Sequence, residues 1–231
     1  DLVPSQWRAP YFSSDEERLF FGVHKRAVKE PEDSLLEDEK YHLDVWHYKD
    51  HKIQAQQLKG LAREKKKYDL YVYNFRQVKL YKLSNDTLKV IVRDEYEPSS
   101  VLAYSNESHA IESQWTYPWK NDYYLMSLNT GEVKSIKNNL KYPGSLSSQS
   151  RYFTYFDEEL EEHKIIDLKN NTESCITCTT DSTVWTRDLN GMPFKAGPVR
   201  AIGFTRDDQY FFQSKWDVWS YDVKRDTLIC L

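Results

Sequence analysis

Val199–Phe212 reads VRAIGFTRDDQYFF, and after Gln213–Lys215 the chain runs on as WDVWSYDVKRDTL from Trp216 to Leu228. Apolar and polar residues alternate on either side of short polar clusters, which is the pattern of half-buried strands joined by tight turns. This stretch predicts a strand ending at Phe204, a turn at Arg206–Asp208, a strand over Gln209–Gln213 and a third over Val218–Asp222.

The same grammar recurs towards the N-terminus. APYFSSDEERLFFGV (Ala9–Val23) supplies a strand, an acidic turn and a strand, and LDVWHYKD (Leu43–Asp50) supplies a third, with Asp44-Val45-Trp46 matching Asp217-Val218-Trp219. Two middle copies are VLAYSNESHAIES (Val101–Ser113) leading to YYLMSLNTGEVKSI (Tyr123–Ile136), and SLSSQSRYFTYF (Ser145–Phe156) leading to HKIIDLKNNTESCI (His163–Ile176). Asn129, Asp167 and Asp222 each follow an apolar residue and precede a short polar turn, at intervals of 38 and 55 residues. Those spacings bracket the ~40–50 residues of a four-stranded propeller blade. An Asp or Asn at such a point can accept hydrogen bonds from turn amides and close the hairpin.

The expected fold is therefore all-β, a β-propeller, complete or partial, of four-stranded blades. Residues 1–231 are expected to form a single propeller domain of about four blade-like units. Propellers use roughly four to eight blades, and Cys230-Leu231 falls where a last outer strand is forming, so the chain reads as part of a longer one. Two stretches interrupt the repeat. Lys25–Tyr41 is acidic and contains proline, and reads as a solvated insertion. KIQAQQLKGLAREKKK (Lys52–Lys67) places Ile53, Gln57, Leu58 and Leu61 at helical spacing ahead of a basic end, so one helix is expected there, inserted in the first blade. Strands are expected after it at Leu70–Tyr73 and Val78–Leu83.

Composition narrows the function classes. Aromatic residues make up 15% of the chain, with 17 Tyr and 7 Trp, a usage that suits pleated sheets. The formal charge of −4 arises from 32 Lys and Arg against 36 Asp and Glu with no broad basic surface, so nucleic acid is not an expected partner. No apolar run approaches the ~18 residues a membrane span requires. Three cysteines, Cys175, Cys178 and Cys230, are too few and odd in number for a disulfide framework.

The repeat of Phe204–Asp222 with its Val-Lys-Arg-Asp turn resembles propeller repeats of the prolyl oligopeptidase family. The segment LDVWHYKDHKIQAQQLKGLAREKKKYDLYVYN (Leu43–Asn74) is similar to propellers of members from Bacteroides-like bacteria, some of them dipeptidyl-peptidase-like. The resemblance implies a propeller that gates or positions peptide substrates for an α/β-hydrolase domain of the same parent chain, which would hold the Ser-Asp-His triad. No Gly-x-Ser-x-Gly nucleophile elbow occurs here, so the chain is expected to be no enzyme by itself and carries no catalytic residue from the family. The bacterial relatives suit a periplasmic or exported setting, with a cytoplasmic one left open. The alternative reading is a stand-alone binding or scaffold propeller that recognises a protein or a glycan.

Within the chain, WTYPW places Trp115, Tyr117 and Trp119 together between two strands, where their ring planes could line a peptide or sugar site. These are the expected ligand contacts, although blade packing also accounts for such residues. Glu158-Glu159 and Glu161-Glu162 invite comparison with the glutamate pair by which some dipeptidyl peptidases hold a free amino group, but the flanking residues match no motif. Glycosidase carboxylates could be drawn from Asp157–Glu162, a run that reads more simply as an exposed turn. His42, His47 and His51 lie near Asp44 and Asp50, yet strand alternation turns His47 away from His42. Cys175-Ile176-Thr177-Cys178 has the spacing of half a zinc site, with no second pair to complete it. No metal or cofactor is expected.

Overall fold

The structure, a computed structural model, describes residues 2–26, 36, 39, 43, 45, 47–92, 99–180, 184–191 and 195–231. The first sheet contains β1 (Leu2–Pro4), β2 (Tyr11–Phe12), β3 (Arg18–Lys25), β4 (Asp69–Asn74) and β5 (Lys79–Lys82). β3 pairs with β4 from Arg18–Asn74 to Val23–Asp69, and its other edge is shared by β1 and β2. The innermost strand is split because residues 5–10 bulge across Gly22, where the Ser5 amide donates to the Gly22 carbonyl at 2.8 Å. A Cβ on Gly22 would come within 2.8 Å of Arg8 Cβ, so the close crossing needs glycine there.

Three antiparallel four-stranded sheets follow, each a meander in chain order. The second holds β6 (Lys89–Ile91), β7 (Ser100–Ser105), β8 (Asn121–Ser127) and β9 (Val133–Leu140). The third holds β10 (Ser145–Leu146), β11 (Tyr152–Asp157), β12 (Glu162–Asp167) and β13 (Thr172–Cys175). The fourth holds β14 (Arg200–Phe204), β15 (Gln209–Gln213), β16 (Val218–Asp222) and β17 (Thr227–Cys230).

Alternation along the strands builds a core between each successive pair of sheets. Phe20, Val72, Val101, Ala103 and Met126 pack the first sheet on the second. Leu102 and Tyr123 turn the other way and meet Phe153, Tyr155 and Ile166 of the third. Tyr152, Phe156 and Ile165 face the fourth sheet, where Trp185, Tyr210, Phe212 and Tyr221 complete the largest cluster. A strand buried on both faces must be apolar on both, and β11 has five consecutive buried residues, from Tyr152 to Phe156. Stacked four-stranded meanders of this kind are the blades of a partial propeller.

The turns repeat as faithfully as the strands. Between third and fourth strands, Asn74, Ser127, Asp167 and Asp222 use a side-chain oxygen to accept turn amides, for example Lys169 N at 2.9 Å and Lys224 N at 3.0 Å. Four residues after each of these, the backbone enters the left-handed region at Val78, Gly131, Asn171 and Asp226. Between first and second strands, Ser13, Ser147 and Thr205 accept from Arg18, Tyr152 and Gln209, and Glu16, Ser150 and Asp208 are left-handed. The equivalent residue in the second sheet is thus Ser127; Asn129 instead accepts from Arg18 (3.1 Å) and Asn74 (3.4 Å) of the first sheet.

Two other expectations need correction. Leu43–Asp50 is not the third strand of the first blade: Leu43, Val45 and His47 are not in a strand, and Tyr48 and Lys49 form a turn. β4 fills that position, because the Asp69–Asn74 register satisfies every rung of β3 from Arg18 to Val23. Asp44 and Trp46 lie outside the described residues, as does most of Lys25–Tyr41. The inserted helix is α1 (Gln54–Glu64), within the expected range and between β3 and β4. The strand expected at Val78–Leu83 is β5, with Val78 in the turn before it.

Candidate functional site

Turns of neighbouring sheets touch along one rim. Ser150 Oγ donates to Ser100 O at 2.8 Å, Ser148 Oγ to Arg206 O at 3.2 Å, and Arg18 reaches Asn129. Because the strands are antiparallel, the connections between second and third strands emerge at the opposite rim. There the first sheet carries the long insertion with α1, and the second carries residues 106–120. The third and fourth carry short turns at 158–161 and 214–217.

This rim displays aromatic surface. Trp115, Tyr117 and Trp119 are 70%, 81% and 57% exposed, so none belongs to the packed core. Tyr48 of the insertion (83%) and Trp216 of the fourth sheet's turn (75%) are exposed on the same rim. Trp216 escaped the sequence reading because it adjoins a strand in WDVW; the break in alternation at Gln213–Lys215 was the signal that it sits in a turn.

Trp115 also lines a cleft of about 250 Å³ between the insertion and the 106–120 loop, together with Val45, Tyr48, Ile53, Ile111 and Gln114. Tyr117 and Trp119 do not line it. Ligand pockets usually enclose roughly 300–1,000 Å³, so this cleft falls just below that range. Its walls are joined where Gln114 Nε2 donates to Asp50 O at 2.9 Å and His51 lies 3.7 Å from Glu107.

Asp122, at the start of β8, fixes the loop that bears Trp115. Its carboxylate accepts from Ser108 Oγ at 2.6 Å and from Asn139 N at 3.0 Å, and lies 3.1 Å from His109 Nε2. Burial pushes this carboxyl upward, but the Ser108, Asn139 and His109 contacts outweigh it and hold the group below its ordinary range. Serine and histidine both address the aspartate, the geometry of a loop anchor.

The acidic turn is engaged locally. Asp157 Oδ1 accepts from Glu159 N and Leu160 N at 3.0 and 3.2 Å, and Lys164 donates to its other oxygen at 2.9 Å. Burial raises the Asp157 carboxyl and the Lys164 contact with the turn amides more than offsets it, so it too stays below the usual range. Glu158 is held by Lys141 at 2.6 Å, and Glu159 lies 3.5 Å from Lys195. His47 Nδ1 accepts from Lys49 N at 3.2 Å, closing its own turn, and His42 lies outside the described residues. Cys175 ends β13, Cys178 lies in the turn that follows, and the two form a disulfide with Cα atoms 5.8 Å apart.

Four blades in series, with both insertions emerging on one rim, define the class: an all-β propeller-type chain. No family model matches the sequence, and no curated protein matches it. Among solved structures, the chain is similar to the β-propeller domain of the Trilobed protease from Pyrococcus furiosus, at 10% identity and a TM-score of 0.43, with 96% of this chain and 57% of that one covered. It is similar to the acylaminoacyl peptidase of Pyrococcus horikoshii at 14% identity and a TM-score of 0.43, covering 94% of this chain and 30% of that one. TolB from Acinetobacter baumannii follows at 12% identity and a TM-score of 0.37, covering 97% and 42%. The chain thus spans well under two thirds of the length of each. Among the described residues, no helix is long and apolar enough to cross a membrane.

Proposed function

We propose that this chain is a non-catalytic propeller that gates or positions peptide substrates for an α/β-hydrolase serine peptidase domain elsewhere in its parent chain. The observation that carries the reading is the exposure of Tyr48, Trp115, Tyr117, Trp119 and Trp216 on the rim where the two insertions emerge, with Tyr48 and Trp115 lining one cleft. Large amphipathic rings on a rigid frame bind extended ligands at low conformational cost. The cleft of about 250 Å³ beside Trp115 supports capture of part of a peptide. The Leu43–Asn74 resemblance points the same way, and a sequence without a Gly-x-Ser-x-Gly elbow is compatible with acyl chemistry carried by another domain. The Cys175–Cys178 disulfide supports a periplasmic or exported setting.

The same ring planes favour a second reading, a binding propeller that stacks glycans. Titration with an unstructured peptide library and with oligosaccharides separates the two. Peptide binding that falls at least ~10-fold in Trp115→Ala, equivalent to about 1.4 kcal/mol or more, is the expected result. Saturable oligosaccharide binding without peptide binding would overturn the peptidase reading.

A further inference from the structure

The Cys-Ile-Thr-Cys segment supplies two sulfurs, and the neighbouring strand brings a third donor that spacing along the chain does not reveal. Cys175 ends β13 opposite Lys164 of β12, and Glu162 lies two residues back on the same face. A Glu162 carboxylate oxygen is 3.4 Å from Cys175 Sγ. The ligand atoms of Glu162, Cys175 and Cys178 all lie within 4.8 Å of one another. Lys164 is committed to Asp157 at 2.9 Å and Glu173 at 3.8 Å, and no ion pair among the described residues uses Glu162.

Two thiolates and a carboxylate form a donor set for zinc. With Zn–S near 2.3 Å and Zn–O near 2.0 Å, a tetrahedron places sulfur and oxygen about 3.5 Å apart. In the disulfide state the Glu162–Cys175 separation is 3.4 Å, close to that value. Sulfur and sulfur must stand about 3.8 Å apart in the same tetrahedron, so the disulfide has to open first. Cys178 is exposed and Cys175 half-buried, which leaves the bond accessible to a thiol.

We propose that Glu162, Cys175 and Cys178 form a Zn²⁺ site that exists only in the reduced chain, so that the disulfide and the metal-bound centre are alternative states of one corner of the third sheet. In the reducing step a dithiol supplies two electrons and two protons; the Cys175–Cys178 bond breaks, two thiols form, and the dithiol closes to its own disulfide. Zn²⁺ then displaces both thiol protons to solvent, and a water occupies the fourth position. The corner bears on the core between the third and fourth sheets. Thr177, between the two cysteines, accepts from His163 N at 2.9 Å, and Thr180 accepts from the buried Trp185 Nε1 at 2.9 Å.

The test uses the chain with Cys230→Ser, which removes the exposed free thiol. Zn²⁺ stoichiometry and affinity are measured against a chromophoric chelator, before and after reduction by a dithiol that is then removed without air. Expected are a single Zn²⁺ per reduced chain, none per oxidised chain, and a thiolate charge-transfer band when Co²⁺ replaces Zn²⁺. Cys178→Ser and Glu162→Gln should each weaken binding at least ~10-fold, since outer partners alone are worth ~10–100-fold. The proposal is overturned by a reduced chain that holds no zinc, by equal binding to the oxidised chain, or by Glu162→Gln binding as tightly as its parent. Loss of the folded circular-dichroism signal on reduction overturns it as well, because the site requires β12 and β13 to be paired.

Discussion

His163 should make this protein acid-sensitive well above the carboxylate range. Its side chain lies between the third and fourth sheets, 1% exposed, with the Phe212 ring centroid 4.5 Å away and Phe156 at 5.1 Å. Among the described residues neither ring nitrogen has a hydrogen-bond partner. Burial disfavours the charged imidazolium and lowers the pKa from 6.5 to about 3. The unfolded chain therefore binds a proton that the folded chain refuses across this interval, and stability rises with pH there. The contribution is complete above pH ~6.5 and is lost at about 1.4 kcal/mol per unit as pH falls towards 3. Between pH 7.5 and pH 5 the expected loss is about 2 kcal/mol. Aspartate and glutamate in an unfolded chain titrate near 4, so they contribute little in that window. Urea unfolding followed by tryptophan fluorescence at both pH values should show the drop in the parent and a nearly flat response in His163→Leu. Parallel losses in the two proteins would refute the argument, whatever the absolute stability of the variant.

Two further predictions concern the frame around the site. Val78 holds φ at 53° with its side chain 71% exposed, so a β-branched residue bears the left-handed strain without packing in return. Val78→Asn should raise stability by about 1 kcal/mol, and a lower urea midpoint would contradict this. Asp122→Ala removes the acceptor of the contacts that tie down residues 106–114, at a cost of about 2–3 kcal/mol. Amide hydrogen exchange in that loop should accelerate more than in β11, and uniform acceleration would count against a local anchoring role.

The sequence disclosed what is local and repeated. The strands over Gln209–Gln213 and Val218–Asp222 lie where alternation placed them, because each hairpin closes within a few residues on its own polar turn. What failed depended on partners distant in the chain. LDVWHYKD has the wording of a third strand, yet β3 closes on Asp69–Asn74 across an insertion that local alternation cannot see past. Asn129 fits the pattern of a turn residue, but packing of the first sheet on the second assigns its side chain to Arg18 and Asn74. The WTYPW rings were legible as candidates by composition. Their exposure, the addition of Trp216, and the approach of Glu162 to the two cysteines required the stacking of sheets and the strand register.

The central proposal is that this propeller serves a hydrolase domain elsewhere in its parent chain. Its most direct test is labelling with a fluorophosphonate, which reacts with activated serines, applied in parallel to this chain and to the full-length gene product. The account predicts labelling of the full-length protein alone. Labelling of this chain would contradict the proposed non-catalytic role, and labelling of neither would contradict the proposal that it serves an active serine peptidase.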